Sequence, residues 1–337
     1  AGQMASALTF PLFENGHEVR LVGSPLDDAV IDRLREDNYH VNLRRTLHDG
    51  INYIKCADVK EAIKGADLIV CGISSFGVEW FADEILPILD ESIPLISVTK
   101  GMLDYEDGTL QPYPEYWQEK LPEGSKLRLY AIGGPCTARD LSDHDPSFVA
   151  YCGPDFETLE WIRSLFSTDY YIISLTKDVV GLECAVALKN GYALGTALAI
   201  GIKEKLGDDG IDHNNMKSAL FQESVKEMLE LLRIVGGGVD NIMFAAGDLD
   251  VTVSAGRSRT VGLLLGKGYT IEETLEQLQG QTLEAVVIAT RTARAVKAFA
   301  KAGKVSIDDF PLLMHVDGLL NEHATLNSPW KKFERHM

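Results

Sequence analysis

The chain has 337 residues, 45% of them apolar and 24% charged, which is long enough for two cores and excludes a disordered or collagen-like chain. Its 32 basic against 50 acidic side chains leave a formal charge of −18, a surface that repels polyanions and excludes nucleic acid as the expected partner. The five cysteines, Cys56, Cys71, Cys136, Cys152 and Cys184, share no C-x-x-C spacing, so neither a disulfide framework nor a metal site is expected, and a reducing cytosol fits best.

The chain opens Ala1-Gly2-Gln3-Met4-Ala5-Ser6 and keeps helical apolar spacing to a stop at Glu14-Asn15-Gly16; residues 17–22 then read as a short strand. In a dinucleotide-binding fingerprint a strand ends in G-x-G-x-x-G or A, and the following helix turns free amides toward a pyrophosphate. Gly2 and Ala5 fit its second and third positions. The first glycine and the strand before it do not appear, so several residues are expected ahead of Ala1 in the natural protein. Pro11 lacks an N–H and predicts a kink in this helix.

Strand-like apolar runs recur at 68–73, 95–99, 127–132 and 148–152, with helical stretches such as 81–89 and 156–166 alternating with them. That alternation predicts an α/β fold with a doubly wound, Rossmann-type, mostly parallel sheet. The segment 104–114 reads as an ordinary loop. Near 175–178 the texture changes, and almost every later segment has helical spacing. A dinucleotide-binding domain at 1–176 followed by an all-α domain at 177–337 is therefore expected. The most apolar stretch, 179–202, is interrupted by Glu183, Lys189 and Asn190. Charges at that depth are costly in lipid, which predicts a buried helix and no membrane span.

Four short constellations carry chemistry. Val98-Thr99-Lys100-Gly101 puts a lysine at the carboxyl end of a strand, where open α/β sheets bind ligands. Gly133-Gly134-Pro135-Cys136-Thr137-Ala138 ends another strand in a loop whose backbone can approach a ligand closely. Lys189-Asn190 sets a cation and an amide inside an apolar helix, where a lysine needs a partner or a task. Gly247-Asp248-Leu249 with Thr252 then precedes Gly256-Arg257-Ser258-Arg259, supplying a carboxylate, a hydroxyl and a guanidinium fork. Architecture alone leaves the substrate open among hydroxy acids and phosphorylated polyols.

In order and spacing, segment 2–16, Thr99-Lys100-Gly101, Gly134-Pro135, Ala187-Leu188-Lys189-Asn190, Gly247-Asp248-Leu249 with Thr252, and segment 262–268 resemble the NAD(P)-dependent glycerol-3-phosphate dehydrogenase family over essentially the whole chain. The resemblance implies interconversion of sn-glycerol 3-phosphate and dihydroxyacetone phosphate, feeding glycerophospholipid synthesis, by a cytoplasmic homodimer. It assigns Lys189 as the base at the C2 hydroxyl. Burial and a second cation, Lys100, would both bring a lysine's pKa down toward working pH. Asp248 would orient Lys189 or accept a substrate hydroxyl. Arg257 would grip the phosphate, with Thr252, Gly256 and Ser258 beside it, and Asn190, Gly134 and Cys136 would complete the substrate contacts. Gly2, Gln3, Met4, Ser24, Ser74, Ala138, Arg257 and Glu284 would lie near the cofactor.

Two residues depart from the family pattern: Ser258 follows the arginine where the family has asparagine, and Cys136 stands where bacterial enzymes usually carry serine. Cofactor choice rests on the end of the second strand, about twenty residues past the fingerprint. There Leu21-Val22-Gly23-Ser24-Pro25 offers no carboxylate to a ribose hydroxyl, and Ser24 could donate to a 2′-phosphate. The reading leans to NADP or dual use, against which Asp27 and Asp28 stand close by. The alternatives are a dehydrogenase of another small phosphorylated polyol or hydroxy acid, and a regulatory NAD(P)-binding module without catalysis. Retention of both Lys189 and Asp248 favours an enzyme.

Overall fold

The computed structural model describes residues 1–254, 256–279, 281 and 283–334. It divides into two compact units: Ala1–Lys100 with Tyr113–Val179, and Gly101–Pro112 with Val180–Met337.

The first unit is built on strands β1 (Arg20–Val22), β2 (Tyr39–His40), β3 (Arg45–Thr46), β4 (Asn52–Ile54), β5 (Ile69–Cys71) and β6 (Leu95–Ser97). The hairpin strands β7 (Met102–Asp104) and β8 (Leu110–Pro112) belong to the second unit, after which β9 (Leu129–Gly133), β10 (Ser147–Cys152) and β11 (Tyr171–Thr176) return to the first. The main sheet has the order β11-β10-β9-β6-β5, and β1 pairs with β4 in a separate two-stranded sheet. All these neighbours run parallel except β9 and β10. Such strands are covered on both faces and read as continuous apolar runs, and all five residues of β9 are buried. Against this sheet the helix Phe156–Phe166 lays Leu159, Ile162 and Phe166, spaced three and four apart and fully buried. Asp155 starts that helix by accepting from the Thr158 amide at 2.8 Å.

The opening helix is split into Gln3–Ala7 and Thr9–Glu14. Pro11 supplies no N–H to the carbonyl of Ala7, and the break falls there. The stretch expected as one helix over 81–89 is instead a wide turn at Phe81–Ile85 followed by a tight one at Leu86–Ile88. Pro87 cannot continue the ladder of the first.

In the second unit the helix Val179–Leu206 has nineteen buried residues on all sides. It is long and apolar enough to cross a membrane, yet its most apolar window is 83% buried inside the protein, as befits a core helix. The helix Arg257–Lys267 crosses it so closely that backbone meets backbone, with the Ala197 methyl beside the contact. A Cβ on Gly262 would lie 2.2 Å from Leu194 O, one on Gly266 2.3 Å from Leu198 O, and one on Gly201 2.1 Å from Leu263 O. Pairing of 194 with 262 and of 198 with 266 means the two helices run in the same direction.

Residues 104–114, expected as a loop, form most of a hairpin and the start of the helix Tyr113–Lys120. Met102 pairs with Pro112, Leu103 with Gln111 and Asp104 with Leu110. The Asp107-Gly108 turn, with Gly108 at φ +92°, is the local signal for it. Strands of three residues are too short to show an alternation in sequence, and Met102 and Leu110 are held by burial in the helical core.

Candidate functional site

In the sheet unit, the expected residues collect at the carboxyl ends of parallel strands. After β5 come Gly72 and Ser74, after β6 Thr99 and Lys100, after β9 Gly134 and Cys136. Thr99 Oγ1 donates to Ile73 O at 2.8 Å, and Lys100 Nζ donates to Gly134 O at 2.9 Å. Gly134 takes φ +113°, which favours glycine and leaves its carbonyl free to meet the lysine. Cys136 is half-buried with its thiol 3.8 Å from Thr137 O. Thr137 caps the short helix Ala138–Ser142 by accepting from the Asp140 amide at 3.1 Å, with Ala138 as its first residue. Ser74 is exposed.

The fingerprint residues also explain themselves by fit. A Cβ on Gly72 would lie 2.5 Å from the Ala5 methyl, and one on Gly2 3.3 Å from Gly72 O. Ala5 is thus the small residue that lets helix and strand end touch, and Gly2 keeps the chain clear at the helix start. The first-turn amides of Gln3 and Met4 have no carbonyl ahead of them within the helix. A backbone cradle without side chains, ahead of a helix N-terminus, suits a dinucleotide pyrophosphate.

At the end of β1 the sequence shows no carboxylate, but the Pro25-Leu26 turn folds one back. Asp27 Oδ2 accepts from both the amide and the hydroxyl of Ser24, each at 2.8 Å. The serine proton expected on a 2′-phosphate is directed to Asp27. The available signal was the position of Asp27 three residues on, within reach of an Asx-type turn.

In the helical unit, Lys189 is 12% exposed and its Nζ lies 3.2 Å from Asp248 Oδ1, while Asp248 is 3% exposed. The ammonium also donates to Thr252 Oγ1 at 2.7 Å. Asp248 and Thr252 stand one turn apart on the helix Ile242–Ser254, so one face of it presents both to the lysine. Thr252, expected on a phosphate, is therefore tied to Lys189, with its own hydroxyl proton still to give. Asn190 is buried beside Lys189. Gly256 takes φ +104° with open space where its Cβ would be. It starts the helix Arg257–Lys267, on which Arg257 is exposed and Ser258 buried. Lys189 and Arg257 each lie five residues ahead of the Leu194–Gly262 contact, so the parallel crossing puts them at the same end of the helix pair. Glu284 opens the helix Glu284–Lys301 and is half-buried.

Among the buried carboxylates that escaped the sequence reading, Glu227 makes the longest reach. Glu227, on the helix Asn214–Val235, accepts from the Leu312 and Leu313 amides at 2.7 and 3.0 Å. It caps the helix Pro311–Asn321 from across the core. Burial pushes its carboxyl up to about 8, and only tertiary structure reveals the contact.

A sheet unit whose backbone suits a dinucleotide, with a helical unit that pairs a half-buried lysine with a buried carboxylate, fits a nicotinamide-dependent dehydrogenase of the two-unit class. Residues 1–156 match the N-terminal model, and 178–331 the C-terminal model, of the NAD-dependent glycerol-3-phosphate dehydrogenase family. The chain is 31% identical over 311 residues to the NADP(+)-dependent glycerol-3-phosphate dehydrogenase of Archaeoglobus fulgidus, covering 91% of this chain and 90% of that protein. It is 28% identical to the glycerol-3-phosphate dehydrogenase [NAD(P)+] of Bacillus velezensis, covering 91% and 85%. The crystal structure of the Coxiella burnetii glycerol-3-phosphate dehydrogenase shares the fold, with a TM-score of 0.79 at 22% identity over 99% of this chain and 95% of that one. This chain belongs to the glycerol-3-phosphate dehydrogenase family.

Proposed function

We propose that the chain interconverts sn-glycerol 3-phosphate and dihydroxyacetone phosphate with NADP or NAD, and so supplies glycerophospholipid synthesis. The observation that carries this reading is the half-buried Lys189 tied to the buried Asp248 and to Thr252, set at the same helix ends as Arg257. Gly2, Gln3, Met4, Ser24, Ser74, Ala138, Arg257 and Glu284 are the residues proposed to hold the dinucleotide. The dinucleotide held there would supply the hydride chemistry at C2 in both directions.

The chain's own residues do the rest. Lys189 takes the proton of the C2 hydroxyl in one direction and gives it back to the same oxygen in the other. Asp248 and Thr252 hold the amine in place, and Asp248 balances the charge whenever the amine is protonated. Lys100 supplies a second cation toward the oxygen as it gains charge in reduction. Arg257 presents a planar fork to the phosphate, with the Gly256 backbone and the Ser258 hydroxyl as shorter donors. A serine offers one hydroxyl where the family's asparagine offers an amide. Asn190, Gly134 and Cys136 complete the substrate contacts. A homodimer in the cytosol completes the proposal.

The test follows NADPH and NADH absorbance with dihydroxyacetone phosphate. Lys189→Ala should lose about two to four orders of magnitude in kcat while still binding cofactor. Full activity in that variant refutes the base, and no oxidation by the unmodified chain at millimolar substrate refutes the reaction.

A further inference from the structure

In the sheet unit, His40 ends the strand β2 and is fully buried. The turn from β2 to β3 closes on this residue twice. Arg44, in the left-handed region at φ +60°, donates its amide to His40 O at 2.7 Å. The Leu43 amide donates to the ring itself, at 3.0 Å from Nδ1. A backbone N–H can only donate, so Nδ1 is the bare nitrogen and the ring proton is assigned to Nε2. That nitrogen lies 2.9 Å from Ala1 O, which can only accept. One tautomer of the neutral imidazole therefore satisfies both partners. Burial, which pushes the imidazole below its ordinary value, favours this uncharged form.

Ala1 O belongs to the peptide that joins Ala1 to Gly2. That unit is planar and trans, so its carbonyl and the Gly2 N–H point in opposite directions. Holding the oxygen on His40 fixes the plane and turns the Gly2 amide away from the imidazole. Gly2 caps the opening helix with extended backbone, at φ −67° and ψ 165°, and accepts from the Ser6 amide at 2.9 Å. The orientation of the first peptide thus passes directly into the first turn, where Gln3 and Met4 present their amides. Glycine has no side chain with which to hold its own backbone, so a glycine cradle is oriented by what grips the peptide ahead of it. His40 supplies that grip from a ring already locked by its own hairpin. Ala1, Gly2, the helix start, His40 and Leu43 all lie in the one compact unit.

We propose that His40 is a positioning residue for the dinucleotide: with its proton on Nε2 it holds the Ala1–Gly2 peptide so that the amides at the start of the opening helix meet the pyrophosphate. This rests on the assignment of Gly2, Gln3 and Met4 to the cofactor made above.

The test uses two substitutions that divide the two tasks of the ring. In His40→Asn the side-chain oxygen stands in for Nδ1 and still accepts from Leu43, but no donor reaches Ala1 O. In His40→Gln the longer side chain brings an amide N–H to the place of Nε2. NADPH affinity is measured by titration calorimetry and melting temperature alongside. His40→Asn should weaken NADPH about five- to tenfold, as the loss of one hydrogen bond does, and His40→Gln should restore it to within about twofold. Nitrogen NMR of the histidine rings, with His40→Gln identifying the signal, should show Nε2 protonated and Nδ1 bare at pH 7. Equal losses in the two variants, a lowered melting temperature with NADPH affinity intact, or a proton on Nδ1 overturn the proposal. If His40→Asn does not fold, the nitrogen spectrum of the unmodified chain carries the test: NADPH should move the His40 Nε2 signal, and a signal unmoved at saturation overturns it. Gly2→Val separates the two assignments. A loss of NADPH affinity in Gly2→Val beside full affinity in His40→Asn defeats the positioning role alone, whereas full affinity in Gly2→Val defeats the cradle on which that role stands.

Discussion

Replacing Glu227 by glutamine tests the electrostatics of the helical core. Both carboxyl oxygens accept backbone amides at the start of the helix Pro311–Asn321, at 2.7 and 3.0 Å, and the side chain is fully buried. Glutamine keeps one acceptor and turns its NH2 toward the other amide, leaving a buried donor facing a donor. That costs about 1–3 kcal/mol. Burial, with the Glu223 charge beside it, raises the folded carboxyl from an ordinary 4.5 to about 8, against the pull of the two amides. A folded value above the unfolded one means that the native state holds a proton which the unfolded chain has released. The stability due to that proton is complete below about 4.5 and is lost as pH rises through 8, by at most about 1.4 kcal/mol for each pH unit. Glutamine has no such slope. The destabilisation by Glu227→Gln should therefore be largest near pH 5 and shrink toward pH 8. Thermal melts across that range, with hydrogen exchange at the Leu312 and Leu313 amides, measure it. A difference that is constant or grows with pH would show that the folded carboxyl is ionised at neutrality, and the reasoning from burial would fail.

Asp27→Ser should raise the preference for NADPH over NADH. A carboxylate about 8 Å from a phosphate charge, at an effective dielectric of about 20, costs about 2 kcal/mol, or about thirtyfold in affinity ratio, and titration with the two cofactors reads it directly; an unchanged ratio places Asp27 away from the ribose. Gly262→Ala sets a methyl 2.2 Å from Leu194 O and should destabilise by about 3 kcal/mol; a melting temperature equal to that of the unmodified chain would mean the crossing is looser than described. Glu14 is pushed up by burial but held below its ordinary value by hydrogen bonds from Tyr170, His144 and His48. Its contribution is present above pH 4.5 and lost as pH falls through the folded value, so the unmodified chain should lose more stability than Glu14→Gln between pH 5 and 3. Parallel acid melts of the two decide it.

The parts of this protein legible from its sequence were those with long or doubled signals. Helix Phe156–Phe166 was visible because Leu159, Ile162 and Phe166 repeat at helical spacing behind an Asp cap, and the parallel strands because burial on both faces makes them uninterrupted apolar runs. The Lys189 neighbourhood was visible because an ammonium in an apolar helix demands a partner, although its tie to Thr252 was not foreseen, since that hydroxyl was assigned to the phosphate. What stayed hidden depends on folding back: Asp27 onto Ser24, Glu227 onto a distant helix start, and three-residue strands stabilised by burial and not by pattern.

The glycine crossing of helices Val179–Leu206 and Arg257–Lys267 has a consequence for substrate length. Where carbonyl oxygen faces glycine, with the short Ala197 methyl beside it, there is no long side chain to compress or rearrange, so the helix ends bearing the amine and the guanidinium form a caliper with a locked screw. On the roles proposed for Lys189 and Arg257, a molecule whose reacting carbon and phosphate are separated by one carbon more would have to bend its own chain to span the same gap.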